Sequence, residues 1–250
     1  MQAWTQLWAT VYIAVLQLLN WFHSWIGDYG VAIIVLTAVM RIVMIPLTVK
    51  QTKSMQEMQE IQPKIKALQE KYKNNKEKLN EETMKFYQEN KVNPFGGCLP
   101  LLIQMPVFIA LFRVLGTPPA KEAAPWSLIN YIKTLPGGAQ QAAKHFLFLI
   151  SDITKSPQAV FAGKPFLEAL LPALPYLALV ALFGISVWLP QYMLTKDPQQ
   201  RKMGSYMALF MLYIGWISPA GVLIYWVTSS AWQVAQQWLI MRRYGQGSAA

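Results

Sequence analysis

Carboxylates are what this sequence has least of. Its 250 residues hold 12 Asp and Glu against 22 Lys and Arg, and charged residues make up only 14% of the chain. Soluble domains carry about 25% charged residues. With 54% hydrophobic residues and a mean hydropathy of +0.26, the composition is that of a polytopic membrane protein. A single cysteine, Cys98, rules out an internal disulfide and any multi-cysteine metal site. The two histidines, His23 and His145, lie outside the long apolar runs. No HExxH, GxSxG, GxxxxGK[ST] or DxDxDG pattern occurs, so the residue sets for hydrolase, NTPase or metal chemistry are missing. The chain therefore reads as a non-enzyme without cofactor or metal. With no basic segment after Met1 and no lipobox cysteine, no cleavable signal peptide is expected.

What is present is a series of apolar runs, and residues 30–50, GVAIIVLTAVMRIVMIPLTVK, carry an arginine near the middle of one. Read as one helix, the run places Arg41 roughly 16 Å from Gly30 and about 13 Å from Lys50, inside a hydrocarbon core ~30 Å thick. An arginine stays protonated, so it needs water or an anion there. None of the expected spans (about 30–49, 95–115, 174–194, 203–217 and 222–241) contains Asp or Glu. Proton- or sodium-coupled transporters use intramembrane carboxylates, so a pump is disfavoured. Either backbone carbonyls and waters solvate Arg41, or its acidic partner comes from outside the chain. A structural snorkelling role is the weaker reading at that depth. Thr37, Gln104, Gln191, Thr228, Ser229, Gln233, Gln236 and Gln237 are polar span residues that can line one wet groove with it. Taken singly, each also suits an interhelical hydrogen bond.

The remaining segments set the topology. Residues 1–27 lack Asp, Glu, Lys and Arg, and a stripe of Gln6, Thr10, Gln17, Asn20 and Ser24 runs beside Trp4, Trp8, Trp21 and Trp25. This predicts an amphipathic helix lying on the membrane; a span is the rival, but needs a very tight hairpin at 28–30. Residues 50–92 hold ten lysines and seven glutamates, with apolar residues at helical spacing and a turn at Asn74-Asn75, predicting a charged helical hairpin outside the bilayer. Pro63 is expected to interrupt or kink its first helix, and Pro175 and Pro190 to break the third span. Residues 116–170 form an extramembrane loop. Fifteen basic residues fall on the side of the hairpin, the 196–202 loop and Arg242-Arg243, and five on the other. Positive charge marks the cytoplasmic side. The expected fold is all-α and polytopic: five transmembrane helices, N-out and C-in, around a polar groove open to the cytoplasm, with the cytoplasmic hairpin and a short tail at 244–250.

Several stretches resemble the YidC/Oxa family of membrane protein insertases: TAVMRIVMIPLT, QPKIKALQEKYK and, above all, KVNPFGGCLPLLIQMPVFIALF. HFLFLISDIT, TKDPQQRKM and SPAGVLIYWVTSSAWQVAQQWLI extend the likeness over residues 28–243. The resemblance implies a multi-pass protein of the bacterial inner membrane that inserts nascent membrane proteins and helps them fold, without nucleotide hydrolysis and as a monomer. It implies a positively charged groove formed by Arg41, Thr37, Gln104, Gln191, Tyr225 and Trp226, to which the polar series adds Thr228. It also implies contacts with lipid, the ribosome and the Sec translocon, and none with specific DNA. A small anion transporter or channel using Arg41 is the alternative.

Overall fold

The structure, a computed structural model, describes residues 2–90, 92, 99–116, 125–147, 149–194 and 198–244. Among them the chain is helical, with no strand beyond one isolated bridge between Phe146 and Ile150. The helices are α1 (Gln2–Ile26), α2 (Tyr29–Val43), α3 (Ile45–Lys71), α4 (Lys76–Glu89), α5 (Leu99–Leu115), α6 (Leu128–Thr134), α7 (Gly137–Lys144), α8 (Pro157–Phe161), α9 (Phe166–Leu194), α10 (Pro198–Ile217) and α11 (Ala220–Tyr244). They divide between two compact units, residues 1–42 with 108–238 and residues 43–107 with 239–250.

In the first unit, α9, α10 and α11 share an apolar core of Val180, Phe183 and Leu223, flanked by Leu179, Leu212 and Val227. Their outer faces remain apolar: Leu167 is 81% exposed, Tyr206 72% and Leu209 66%. So much uncovered apolar surface suits hydrocarbon rather than water. By length and composition, α9 over Phe166–Leu189 can cross a bilayer alone. Gln6–Ile26 and Tyr29–Val43 pass that test only as a pair bent by 119°, and Met105–Leu115 is a shorter apolar helix.

Both α2 and α11 begin at one loop segment, residues 146–155. Asp28 caps α2 with Oδ1 accepting from the Val31 amide at 3.0 Å, while Oδ2 accepts from the Leu147 amide at 2.6 Å. A residue other than glycine at position 30 would drive its Cβ into the Phe146 ring. The first amides of α11, those of Ala220 and Gly221, donate to the carbonyls of Lys155 (2.9 Å) and Ile153 (2.8 Å). A helix start leaves such donors without intrahelical partners, and here the loop supplies them. The buried Tyr176 of α9 ties in from the side: its hydroxyl accepts from the Asp152 amide (3.0 Å) and donates to the Asp152 carbonyl (2.9 Å).

The second unit holds a charged hairpin of α3 and α4. Ile61 and Ile65 are its buried residues on α3, and the turn ends where Asn75 accepts from the Lys78 amide at 3.0 Å to cap α4.

Three local expectations differ from this. Residues 30–49 do not form one helix: α2 stops at Val43, and α3 restarts at Ile45 and runs past Lys50 to Lys71. Pro46, in the first turn of α3, has no N–H for the Ile42 carbonyl, which ends the first helix there. Pro63, by contrast, lies inside an uninterrupted α3, on an exposed position where water can serve the carbonyl left without a donor. Likewise α9 runs unbroken from Phe166 through Pro175 and Pro190. An interior proline removes one hydrogen bond, which an apolar helix tolerates when neighbours make good the loss.

Candidate functional site around Arg41

Arg41 stands in the last turn of α2, about 18 Å along it, and Ser229 about 14 Å along α11. The two helices start together at the loop, so these residues come level. The Arg41 guanidinium (Nη2) donates to Ser229 Oγ. Ser229 is buried, and Tyr225, one turn earlier on α11, is buried too and within electrostatic reach of the guanidinium. Among the described residues Arg41 makes no salt bridge. The end of α2 at Val43 contributes instead: the negative end of the helix dipole favours a cation. An arginine held by a hydroxyl and a helix end retains its capacity for a carboxylate, which it would bind with two parallel hydrogen bonds.

The other expected groove residues divide. Thr37 is buried, and its hydroxyl donates to the Ile33 carbonyl of its own helix at 2.6 Å, so it offers no free donor to a groove. Tyr225 lies beside Arg41. Trp226 belongs to an aromatic stack: Phe183 lies 4.5 Å away at 9°, Phe108 5.7 Å away at 6°, and Phe112 at 6.4 Å. That makes it a packing residue joining α5, α9 and α11. Thr228 is half-buried. The side chains of Gln104 and Gln191 lie outside the described residues. Ser229, the direct partner of Arg41, is absent from the set that the family resemblance implied. Its signal in the sequence is the spacing Ser229, Gln233, Gln236, which repeats at four and seven on one face of α11. Among the described residues no cluster of His, Cys, Asp and Glu could hold a metal ion.

The sequence model of the family described as 60Kd inner membrane protein matches residues 21–247. A protein named membrane protein insertase YidC from Caldanaerobacter subterraneus subsp. tengcongensis is 38% identical over 237 residues, covering 94% of this chain and 95% of that one. Its namesake from Francisella tularensis subsp. novicida is 32% identical over 228 residues, 90% of this chain but 35% of the relative. This chain thus spans nearly all of the first relative and about a third of the second. A solved structure titled as an active YidC insertase with its first transmembrane domain resolved is similar with a TM-score of 0.61 at 24% identity, over 90% of this chain and 45% of that one; the likeness concerns the fold.

Proposed function

We propose that this chain, which belongs to the 60Kd inner membrane protein family, is an insertase that passes the polar tail of a nascent membrane protein across the inner membrane, with Arg41 as the receiving cation. The observation that carries the reading is the Arg41–Ser229 pair, a permanent charge in an apolar bundle whose direct partner is neutral. The names of the relatives, insertases matched over most of this chain, support the same activity.

In this reading the acidic or polar tail enters a groove beside Arg41 while the apolar segment slides along the exposed faces of α9 and α11. Burial of apolar surface at about 25 cal/mol per Å² drives the step without nucleotide. The five expected spans fall on α2, α5, α9, α10 and α11. The polar residues of α11 and the Gln199–Lys202 start of α10 lower their hydropathy, as helices beside a wet groove require. With α2 along the membrane normal, a bend of 119° leaves α1 about 30° from the membrane plane, which favours an interfacial α1 over an antiparallel span. The N-out, C-in orientation rests on the fifteen-to-five excess of basic residues on the hairpin side. The hairpin recruits substrate, and the cytoplasmic loops meet the ribosome or Sec translocon. The insertase works as a monomer and goes on to help its substrates fold.

The test uses full-length protein in lipid vesicles and a single-span substrate whose translocated tail carries either Asp or Asn. Arg41→Ala should cut insertion of the Asp-tailed substrate about tenfold, a barrier change of about 1.4 kcal/mol. Arg41→Lys should keep part of it, since charge matters more than the planar fork. Undiminished insertion by Arg41→Ala, with loss of small-anion flux instead, would identify an anion transporter.

A further inference from the structure

We infer that Ser229 is a hydroxyl latch for Arg41, holding the guanidinium in place between substrates and giving it up to an incoming carboxylate. The inference rests on the reading of Arg41 as the receiving cation and adds what that reading leaves open: which residue of this chain the substrate displaces, and why that residue is uncharged.

Three observations support it. First, the contact joins residues 188 positions apart, so it depends on the register of α2 against α11 and not on local sequence. That register is fixed at the loop, where Asp28 anchors the start of α2 and the carbonyls of Ile153 and Lys155 anchor the start of α11. Second, the nearby hydroxyl on α2 is unavailable, because Thr37 is engaged with the Ile33 carbonyl. Third, Ser229 is only 6% exposed, so water competes poorly for the guanidinium on that side.

A serine hydroxyl suits this task for electrostatic reasons. A hydroxyl satisfies one guanidinium N–H and fixes its direction, yet leaves the charge uncompensated. A carboxylate from the substrate offers two acceptor oxygens and a full opposite charge, so it displaces the hydroxyl. After the tail has crossed, the hydroxyl takes the guanidinium back. An aspartate in the same place would form a buried ion pair that the substrate would have to break. The exchange is of hydrogen bonds alone, with no proton or covalent bond transferred.

The latch is tested by the ratio of Asp-tailed to Asn-tailed insertion in vesicles, because a packing defect lowers both alike. Ser229→Asp should lower the ratio about tenfold, and adding Arg41→Ala to it should lower the ratio no further. Ser229→Ala should lower the ratio two- to fivefold, and Ser229→Thr, which keeps the hydroxyl, should restore it. An unchanged ratio in Ser229→Asp would overturn the latch, provided Arg41→Ala alone still lowers it. If Arg41→Ala leaves the ratio unchanged as well, the failure lies with the role of Arg41. Should Ser229→Asp not accumulate in the membrane, the Ala and Thr variants decide: equal ratios in the two would overturn the proposal.

Discussion

The same two helices meet twice, and the two meetings are chemically opposite. Where α2 and α11 start, the contacts are made by backbone groups and neutralised dipoles: both oxygens of Asp28 accept amides, the first amides of α11 find carbonyls, and the Tyr176 hydroxyl both accepts and donates. Some 14–18 Å further along, the contact is a permanent cation on a hydroxyl. The first arrangement has little to gain by exchanging partners, because its buried members, the Tyr176 hydroxyl and the first amides of α11, would be left unsatisfied on release at about 1–3 kcal/mol apiece. The second gains whenever an acid arrives. A closed end holds the helices in register, and an electrostatically incomplete site lies within that frame.

The largest effect is expected where the frame borders the site. Trp226 sits three residues before Ser229, in the stack of Phe108, Phe112 and Phe183, so Trp226→Ala removes a large packed ring and should cost about 3–5 kcal/mol. Thermal unfolding in detergent measures the loss. The comparison predicts that insertion of Asp- and Asn-tailed substrates falls in parallel. A selective loss for one tail would move Trp226 from the frame into the site.

A smaller loss is expected at the closed end. Asp28→Ala removes the cap of α2 and the anchor of Leu147 together, which should lower stability by about 2 kcal/mol. Asp28→Asn should lose less, because asparagine caps helices as well as aspartate, while its amide group cannot accept from the Leu147 amide as the second carboxylate oxygen does. If the two ends are coupled only through register, hydrogen exchange should quicken at the Leu147 and Ala220 amides in Asp28→Ala before it does beyond Ser229. Uniform exchange along both helices would dissolve the distinction between frame and site.

How far the sequence disclosed this arrangement depends on whether the cause was local. The turn before α4 was legible, since an Asn-Asn pair between two charged amphipathic stretches offers a cap, and Asn75 provides it. The helical class followed from periodicity, and Arg41 from its permanent charge in an apolar run. The prolines misled because their consequence depends on surroundings: Pro46 ends a helix where no expectation stood, while Pro63 and Pro175 do not. Thr37 is expected in the groove by spacing and resemblance, whereas its bond to the Ile33 carbonyl of its own helix is a choice of partner that spacing does not disclose. Ser229 could be seen as polar, yet its pairing with Arg41, 188 positions away, requires that the two helices share a starting point. That point is set by the 146–155 loop, whose tie to Asp28 is a backbone contact that no residue pattern announces.

The smallest expected effect is a pH dependence at the elbow between α1 and α2. His23 stacks on Tyr29 at 3.8 Å between ring centres, and Tyr29 donates to the Asn20 side chain at 2.9 Å, so the imidazole is packed where α1 turns into α2. Burial holds its pKa below the ordinary value of about 6.5, and the nearby Asp28 carboxylate offsets only part of that. A base whose folded pKa is depressed resists protonation when folded. The elbow therefore keeps its full stability above about pH 6.5 and loses some as the pH falls through and below that value. Nuclear magnetic resonance of His23 should show the depressed titration, and His23→Phe, which keeps the ring without the proton, should flatten the dependence of elbow exchange on pH. Because the elbow precedes the Asp28 cap, acid should loosen the closed end while leaving the Arg41–Ser229 contact, which contains no group titrating in that range, unchanged.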